Sequence, residues 1–233
     1  MKKLIALFTI LISQLAISQF ADPVISDLLV QGNVNLYELT KYDKAVKGSP
    51  YLTSTFKSGK IVFENGKQYN AQIRLNISEQ KFEIKNNNSN QASAIDIDET
   101  VTINIEDKVY NLYSFKFNGS ANTIGILEDI LELENYKLYY FPRKKVEMPT
   151  EVGISAPASG YTKTPSPQWK DNSVYLIFHN NRTYVVPNSH KKMRALNLLD
   201  VKAYKKYRKA NKLNLKNEES LKKFITYLNS IQS

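Results

Sequence analysis

Tyr69-Asn70-Ala71-Gln72-Ile73-Arg74-Leu75-Asn76-Ile77 puts an apolar or aromatic side chain at every odd position and a polar one at every even position. A period of two sends the two sets to opposite faces of an extended chain, so this stretch is expected to be a strand with one buried and one wet side. Val101, Ile103 and Ile105 repeat the pattern against Thr102, Asn104 and Glu106. Further strands are expected over 34–39, 51–56, 60–64, 67–77, 81–85, 109–117, 137–141, 174–178 and 182–186. The stretch 124–133 also has a helical face in Ile126, Leu127, Ile130 and Leu131. Leu131 and Leu133 alternate with Glu132 and Glu134, however, and 136–141 reads as a returning partner, which favours a strand.

Turn chemistry joins these pieces. Asn65-Gly66 offers a positive-φ pair for a two-residue hairpin turn, and Asn180-Asn181 is expected to do the same between 174–178 and 182–186. Two stretches break the pattern: a polar Asn/Ser loop at 86–93 and a long Pro/Ser-rich loop at 147–169, which carries Pro149, Pro157, Pro165 and Pro167.

After Pro187 the period lengthens. Met193, Leu196 and Leu199 suit a short helix. Asp200 can cap a second with the stripe Val201, Tyr204 and Tyr207. Asn217 can cap a third, with Glu218 and Glu219 in its first turn and the stripe Leu221, Phe224, Ile225 and Leu228. The expected fold is therefore α+β: a twisted antiparallel β-meander, an open half-barrel or sandwich-like sheet, followed by C-terminal amphipathic helices. An outer-membrane barrel fits poorly, because such barrels span with strands alone.

The first eighteen residues read as a signal peptide. Lys2 and Lys3 precede an apolar run from Leu4 to Ile12, and Ala16-Ile17-Ser18 supplies small residues for cleavage before Gln19. Three regions follow: signal peptide 1–18, antiparallel β domain 19–187 and basic helical segment 188–233, packed on the sheet. The chain has no cysteine, which excludes disulfides, thiolate metal sites and a lipid-modified cysteine. The expected address is the periplasm or the extracellular space, not as a lipoprotein and with no transmembrane helix after cleavage.

The spacing Gly48-x-x-Tyr51-Leu52-x-x-x-Phe56-x-x-Gly59-Lys60-Ile61, followed by Gly66 and Arg74-x-Asn76, resembles a group of uncharacterised exported proteins of Bacteroidetes. So does the closing pair of Lys-rich helices around Tyr204, Leu213, Leu221 and Tyr227. The resemblance implies a bacterial cell-envelope address and no particular chemistry.

Charge is concentrated at one end. Residues 188–233 hold twelve Lys/Arg and three Asp/Glu, a net of +9 within a whole-chain +10. On a helix from Val201, steps of 100° bring Lys202, Lys205, Lys206 and Lys209 onto one face. These four are the candidate anion-binding residues. For an exported chain the candidate partners are anionic lipid, lipopolysaccharide or an acidic envelope protein rather than nucleic acid. Aromatic residues are the second surplus, with fifteen Tyr and ten Phe. Tyr110, Tyr113, Phe115, Tyr139 and Tyr140 are candidate ligand-lining residues for an apolar or sugar ligand on a curved sheet.

Catalytic signals are sparse. The two histidines, His179 and His190, lack an adjacent nucleophile motif, and no nucleotide loop, metal-ligand spacing or cofactor motif occurs. Carboxylates cluster at Asp96, Asp98 and Glu99, and at Glu128, Asp129, Glu132 and Glu134. A calcium site at Asp96-x-Asp98-Glu99 lacks the glycine and spacing of an EF-hand loop. The expected function is a non-enzymatic cell-envelope binding module. Two alternatives stand beside it: a carboxylate-dependent hydrolase of polysaccharide, and a structural subunit of an envelope complex.

Overall fold

A computed structural model describes residues 34–43, 45–85, 92–117, 119, 122–149 and 166–232. The signal-like segment, most of the Asn/Ser loop and the centre of the Pro/Ser-rich loop lie outside the described residues. The chain is a large, open antiparallel sheet followed by helices, as the alternation and the later change of period predict.

Eleven strands form the main sheet: β1 (Val34–Tyr37), β2 (Lys57–Phe63), β3 (Gln68–Asn76), β4 (Lys81–Lys85), β5 (Ala92–Ile97), β6 (Val101–Ile105), β7 (Lys108–Phe115), β8 (Thr123–Glu132), β9 (Lys137–Phe141), β12 (Val174–His179) and β13 (Arg182–Val185). Their spatial order is β1-β5-β4-β3-β2-β6-β7-β8-β9-β12-β13. A separate ribbon pairs β10 (Lys144–Glu147) with β11 (Gln168–Asp171). These two strands flank the Pro-rich stretch and take over both of its expected ends. Residues 52–55 are bends rather than part of the expected strand, and Tyr51 contributes only an isolated bridge to Asn76. The stretch 124–133 is a strand, with a shift of register between Asp129 and Leu131.

The turn chemistry differs from expectation in detail. At Asn65-Gly66 only Gly66 has positive φ, +82°. The Gly66 N–H donates to Phe63 O at 2.9 Å and the Phe63 N–H to Lys67 O at 3.0 Å, which is a longer loop closed by a left-handed glycine. Asn180 and Asn181 have φ of 48° and 58°, so the true two-residue turn with both angles positive is the one built from two asparagines.

The first half of the sheet is strongly curled, and a three-residue connection requires it. β5 and β6 lie four strand positions apart, roughly 19 Å along a flat sheet. Residues 98–100 alone join them, and from Ile97 to Val101 the chain reaches at most about 14 Å. The sheet must bend to bring these ends together. Phe82 on β4 and Tyr110 on β7, also four positions apart, accordingly meet edge to face at 6.0 Å between ring centroids. Gly59 permits the close approach, since a Cβ there would sit 2.6 Å from Asn104 O. Inside the curl, Ile61, Ile73, Phe82, Ile95, Ile103 and Tyr110 form one core with almost no exposure.

Three helices close the chain: α1 (His190–Ala195), α2 (Val201–Asn211) and α3 (Glu218–Ser230). The caps are those the sequence suggests. Asp200 accepts from the Lys202 and Ala203 N–H groups, and Asn217 from the Ser220 N–H. Leu221, Phe224, Ile225 and Leu228 of α3 are at most 1% exposed and pack with Leu138 and Ile177 of the sheet and with Tyr136 of the turn before β9. Burying each such side chain contributes roughly 1.5–3 kcal/mol, so the helices complete a core. Val201 departs from the expected stripe and is 42% exposed, whereas Tyr204 is buried.

Candidate functional site

The second half of the sheet has two covered faces, and strand parity decides what each displays. Leu138 and Ile177 belong to the core beneath the helices. Their neighbours Tyr139 and Leu176 belong to a separate cluster on the opposite face with Phe115, Leu127 and Phe141. The five candidate ligand-lining aromatics divide in the same way. Tyr113, Phe115 and Tyr139 share the face away from the helices and line one groove. Tyr110 and Tyr140 line a different cavity on the other face, beside Tyr175. They cannot form one site, because Tyr110 and Tyr113 are three residues apart in a strand and Tyr139 and Tyr140 are adjacent, so each pair points to opposite faces. That parity was readable in the sequence.

The groove on the aromatic face has a volume of about 650 Å³. Tyr139 lies 4.8 Å from Tyr113 and 4.7 Å from Phe178 between ring centroids, which builds a wall of three contiguous rings. Around it stand Asn122, Asn135, Asn180 and Asn181 with Lys116, Lys137, Glu134 and Arg182. The asparagine hairpin between β12 and β13 and the turn between β8 and β9 carry most of this rim. Beneath it, Asp129 accepts from the Tyr113 hydroxyl at 3.0 Å and from Asn111 Nδ2 at 2.8 Å. Burial pushes the Asp129 carboxyl above its usual range, and the bonds from Tyr113 and Asn111 pull the other way. Burial also raises the Tyr113 hydroxyl, which keeps it a donor.

The cavity on the helix face is smaller, about 380 Å³, and its charges are matched. Lys108 Nζ donates to Glu128 at 2.6 Å and Lys57 to Glu106 at 3.0 Å. Glu128 is buried and also accepts from the Tyr110 hydroxyl at 3.3 Å. Glu128 and Asp129 are therefore back to back across the sheet, each held by its own partners, and do not face one substrate as a hydrolytic pair would. Glu132 pairs with Lys137. Asp96 pairs with Lys81 at 3.4 Å, and Asp98 accepts from the Thr100 N–H and hydroxyl within its turn. Among the described residues no cluster of three or more His, Asp or Glu side chains suits a metal ion.

Both histidines are engaged. His179 stacks on Tyr136 at 4.0 Å and 6°, with Nδ1 2.8 Å from Asn135 O and Nε2 3.0 Å from Asn180 Nδ2. A donating Nδ1–H and an accepting Nε2 fit these contacts, and the ring braces the hairpin. His190 Nδ1 lies 2.7 Å from the Tyr204 hydroxyl.

A second groove, about 630 Å³, opens between α1 and α2. Lys205 and Lys209 of the predicted anion-binding set line it. Lys202 and Lys206 are exposed but stand outside it. Arg194, Arg208, Lys212 and His190 join the lining, and the reading of the sequence missed all four. A signal existed for two of them. Lys205, Arg208, Lys209 and Lys212 follow i, i+3, i+4, i+7, which is one helical face. Arg194 and His190 come from another helix, and no spacing rule reaches them.

The run from Tyr51 to Asn76 has a structural role. Arg74 is sandwiched between the rings of Tyr51 and Phe56, 3.8 and 4.3 Å from their centroids, and pairs with buried Glu83 at 2.6 Å. Asn76 Nδ2 donates to the Tyr42 hydroxyl at 2.6 Å, and Asn76 Oδ1 accepts from the Ser78 and Glu79 N–H groups.

No family model, curated protein or solved structure matches the chain. The fold and its grooves therefore carry the functional reading. Among the described residues no helix is long and apolar enough to cross a membrane.

Proposed function

We propose that this chain is an exported, non-enzymatic binding module of the bacterial cell envelope that holds a glycan in the groove on the aromatic face of the sheet. The observation that carries the reading is the contiguous wall of Tyr113, Tyr139 and Phe178 beside a rim of asparagine side chains. Sugars present C–H faces that pack on aromatic rings, and hydroxyls that need donors and acceptors side by side. An asparagine amide supplies both, and the rim has four. The signal-like start with Lys2 and Lys3, the absence of cysteine and the resemblance to exported Bacteroidetes proteins support the envelope address without a lipid anchor.

The test is native mass spectrometry of the mature chain, residues 19–233, against a panel of envelope oligosaccharides. A sugar adduct is expected, and it should disappear when Asn122 and Arg182, both exposed rim residues, are changed to alanine. A protein that stays bare across the panel, or an adduct indifferent to both substitutions, would sink the reading.

A further inference from the structure

We propose that the groove between α1 and α2 is a second binding site, for a phosphate-bearing anion gripped between Arg194 of α1 and Lys205, Arg208 and Lys209 of α2. It goes beyond the glycan reading, because it shares no lining residue with the aromatic groove.

Three observations converge. The first is the charge of the lining. Arg194, Lys205, Arg208, Lys209 and Lys212 all reach one groove of about 630 Å³, and no carboxylate lines it. Two unit charges 4 Å apart repel by about 1 kcal/mol even in bulk water, so crowding five cations without a counter-charge is a standing cost.

The second is that none of the five has an acidic partner among the described residues. Lysines are paired at Lys57–Glu106, Lys108–Glu128 and Lys222–Glu218, while others such as Lys202 and Lys206 stand alone on the surface among the described residues. What sets the groove apart is that five unpaired cations converge on one place. Helix dipoles explain part of it, since a basic residue in the last turn meets the negative helix end. That accounts for Arg194 in α1 and for Arg208 and Lys209 in α2. It does not explain why Lys205, from the middle of α2, and Lys212, beyond its end, enter the same groove.

The third is the groove's back wall. Tyr204 is 2% exposed and its hydroxyl meets His190 Nδ1 at 2.7 Å. Burial pushes the Tyr204 hydroxyl above its usual range, and burial together with Arg208 and Arg194 holds the His190 imidazole below its own. The wall is therefore polar, with the two rings joined by their hydrogen bond. When Tyr204 donates to Nδ1, the imidazole proton sits on Nε2 and a further donor is left free.

A phosphate group suits this arrangement better than a lone carboxylate. It carries up to two negative charges on three acceptor oxygens in a compact shape. Arginine forks bind such oxygens in pairs while lysines add point charge. Free phosphate esters and lipid headgroups both present this chemistry.

Matched lysines on one helix provide the test. Lys205 and Lys209 line the groove, whereas Lys202 and Lys206 lie outside it, and all four are exposed. Titration of the mature chain with pyrophosphate, followed by calorimetry, should show K205Q/K209Q losing at least about tenfold in affinity. K202Q/K206Q, which removes the same charge from the same helix, should lose less than about threefold. R194Q/R208Q should abolish binding, with unchanged circular dichroism excluding misfolding. Co-sedimentation with phosphatidylcholine vesicles containing phosphatidylglycerol identifies the source. Vesicle binding with the same ranking of variants assigns a lipid headgroup, and pyrophosphate binding without it assigns a soluble phosphate. Equal losses in the two lysine pairs, no binding to either probe, or displacement of pyrophosphate by poly-glutamate at equal charge would overturn the proposal.

Discussion

Arg74 and the arginine pair Arg194 and Arg208 show how differently one side chain is treated at the two ends of the molecule. Arg74 lies between two aromatic rings and is bound to Glu83, whose side chain is 2% exposed. Its remaining donors reach Ser54 O at 3.1 Å and the Tyr51 hydroxyl at 2.9 Å. Arg194 and Arg208 stand at a groove beside three lysines, and among the described residues no carboxylate lines it. A satisfied cation holds its surroundings together and is spent in doing so. A cluster of cations without carboxylate partners gains only what the helix ends offer it, and its donors stay open to a ligand.

The sharpest way to break that contrast is to remove one partner from each end. Glu83→Ala leaves Arg74 charged and largely enclosed, and should destabilise the protein by about 3–5 kcal/mol, read as a shift of the urea midpoint at constant slope. A loss below about 1 kcal/mol would mean that Arg74 is free to reach water, and the comparison would fail. R194Q/R208Q should change stability by no more than about 0.5 kcal/mol in either direction. A large loss there would make the groove structural.

The smallest expected effect is one of pH. Burial first, then Arg208 and Arg194, hold the His190 imidazole below its usual range. A base depressed in the folded state stabilises while neutral. Its contribution is complete above the unfolded value, 6.5, and is lost as pH falls through the lower folded value. Urea midpoints should therefore decline on acidification below about pH 6.5, and His190→Gln should flatten that part of the profile. In R194Q/R208Q the decline should shrink, because two of its three causes are gone. An unchanged slope in both variants would place the titration elsewhere.

The strand and helix elements were largely legible beforehand, for reasons that differ along the chain. Alternation at 69–77 marks a strand because one face is wet, and the capping residues Asp200 and Asn217 mark helix starts because only a few side chains can take the orphan N–H groups. Tyr51 and Phe56 look like strand residues and are not. Their rings are spent on Arg74, and a long-range contact overrides local propensity. β10 and β11 escaped notice because each has only four residues and their pairing joins the two ends of a long Pro-rich insertion. Candidate sites were less legible. The split of Tyr110 from Tyr113 followed from parity and was available, whereas Arg194 entered the basic groove only because α1 packs beside α2.

By itself the sequence determined the antiparallel sheet, the change to helices after Pro187, two helix caps and the location of the charge. Each of these is a local or periodic property, set by neighbours within a few residues. Tertiary structure decided which cations are satisfied and which converge, how far the first half of the sheet curls, and which aromatic rings share a wall. Those depend on residues far apart in the chain arriving at one place, and arrival is a matter of packing that no spacing along the chain encodes.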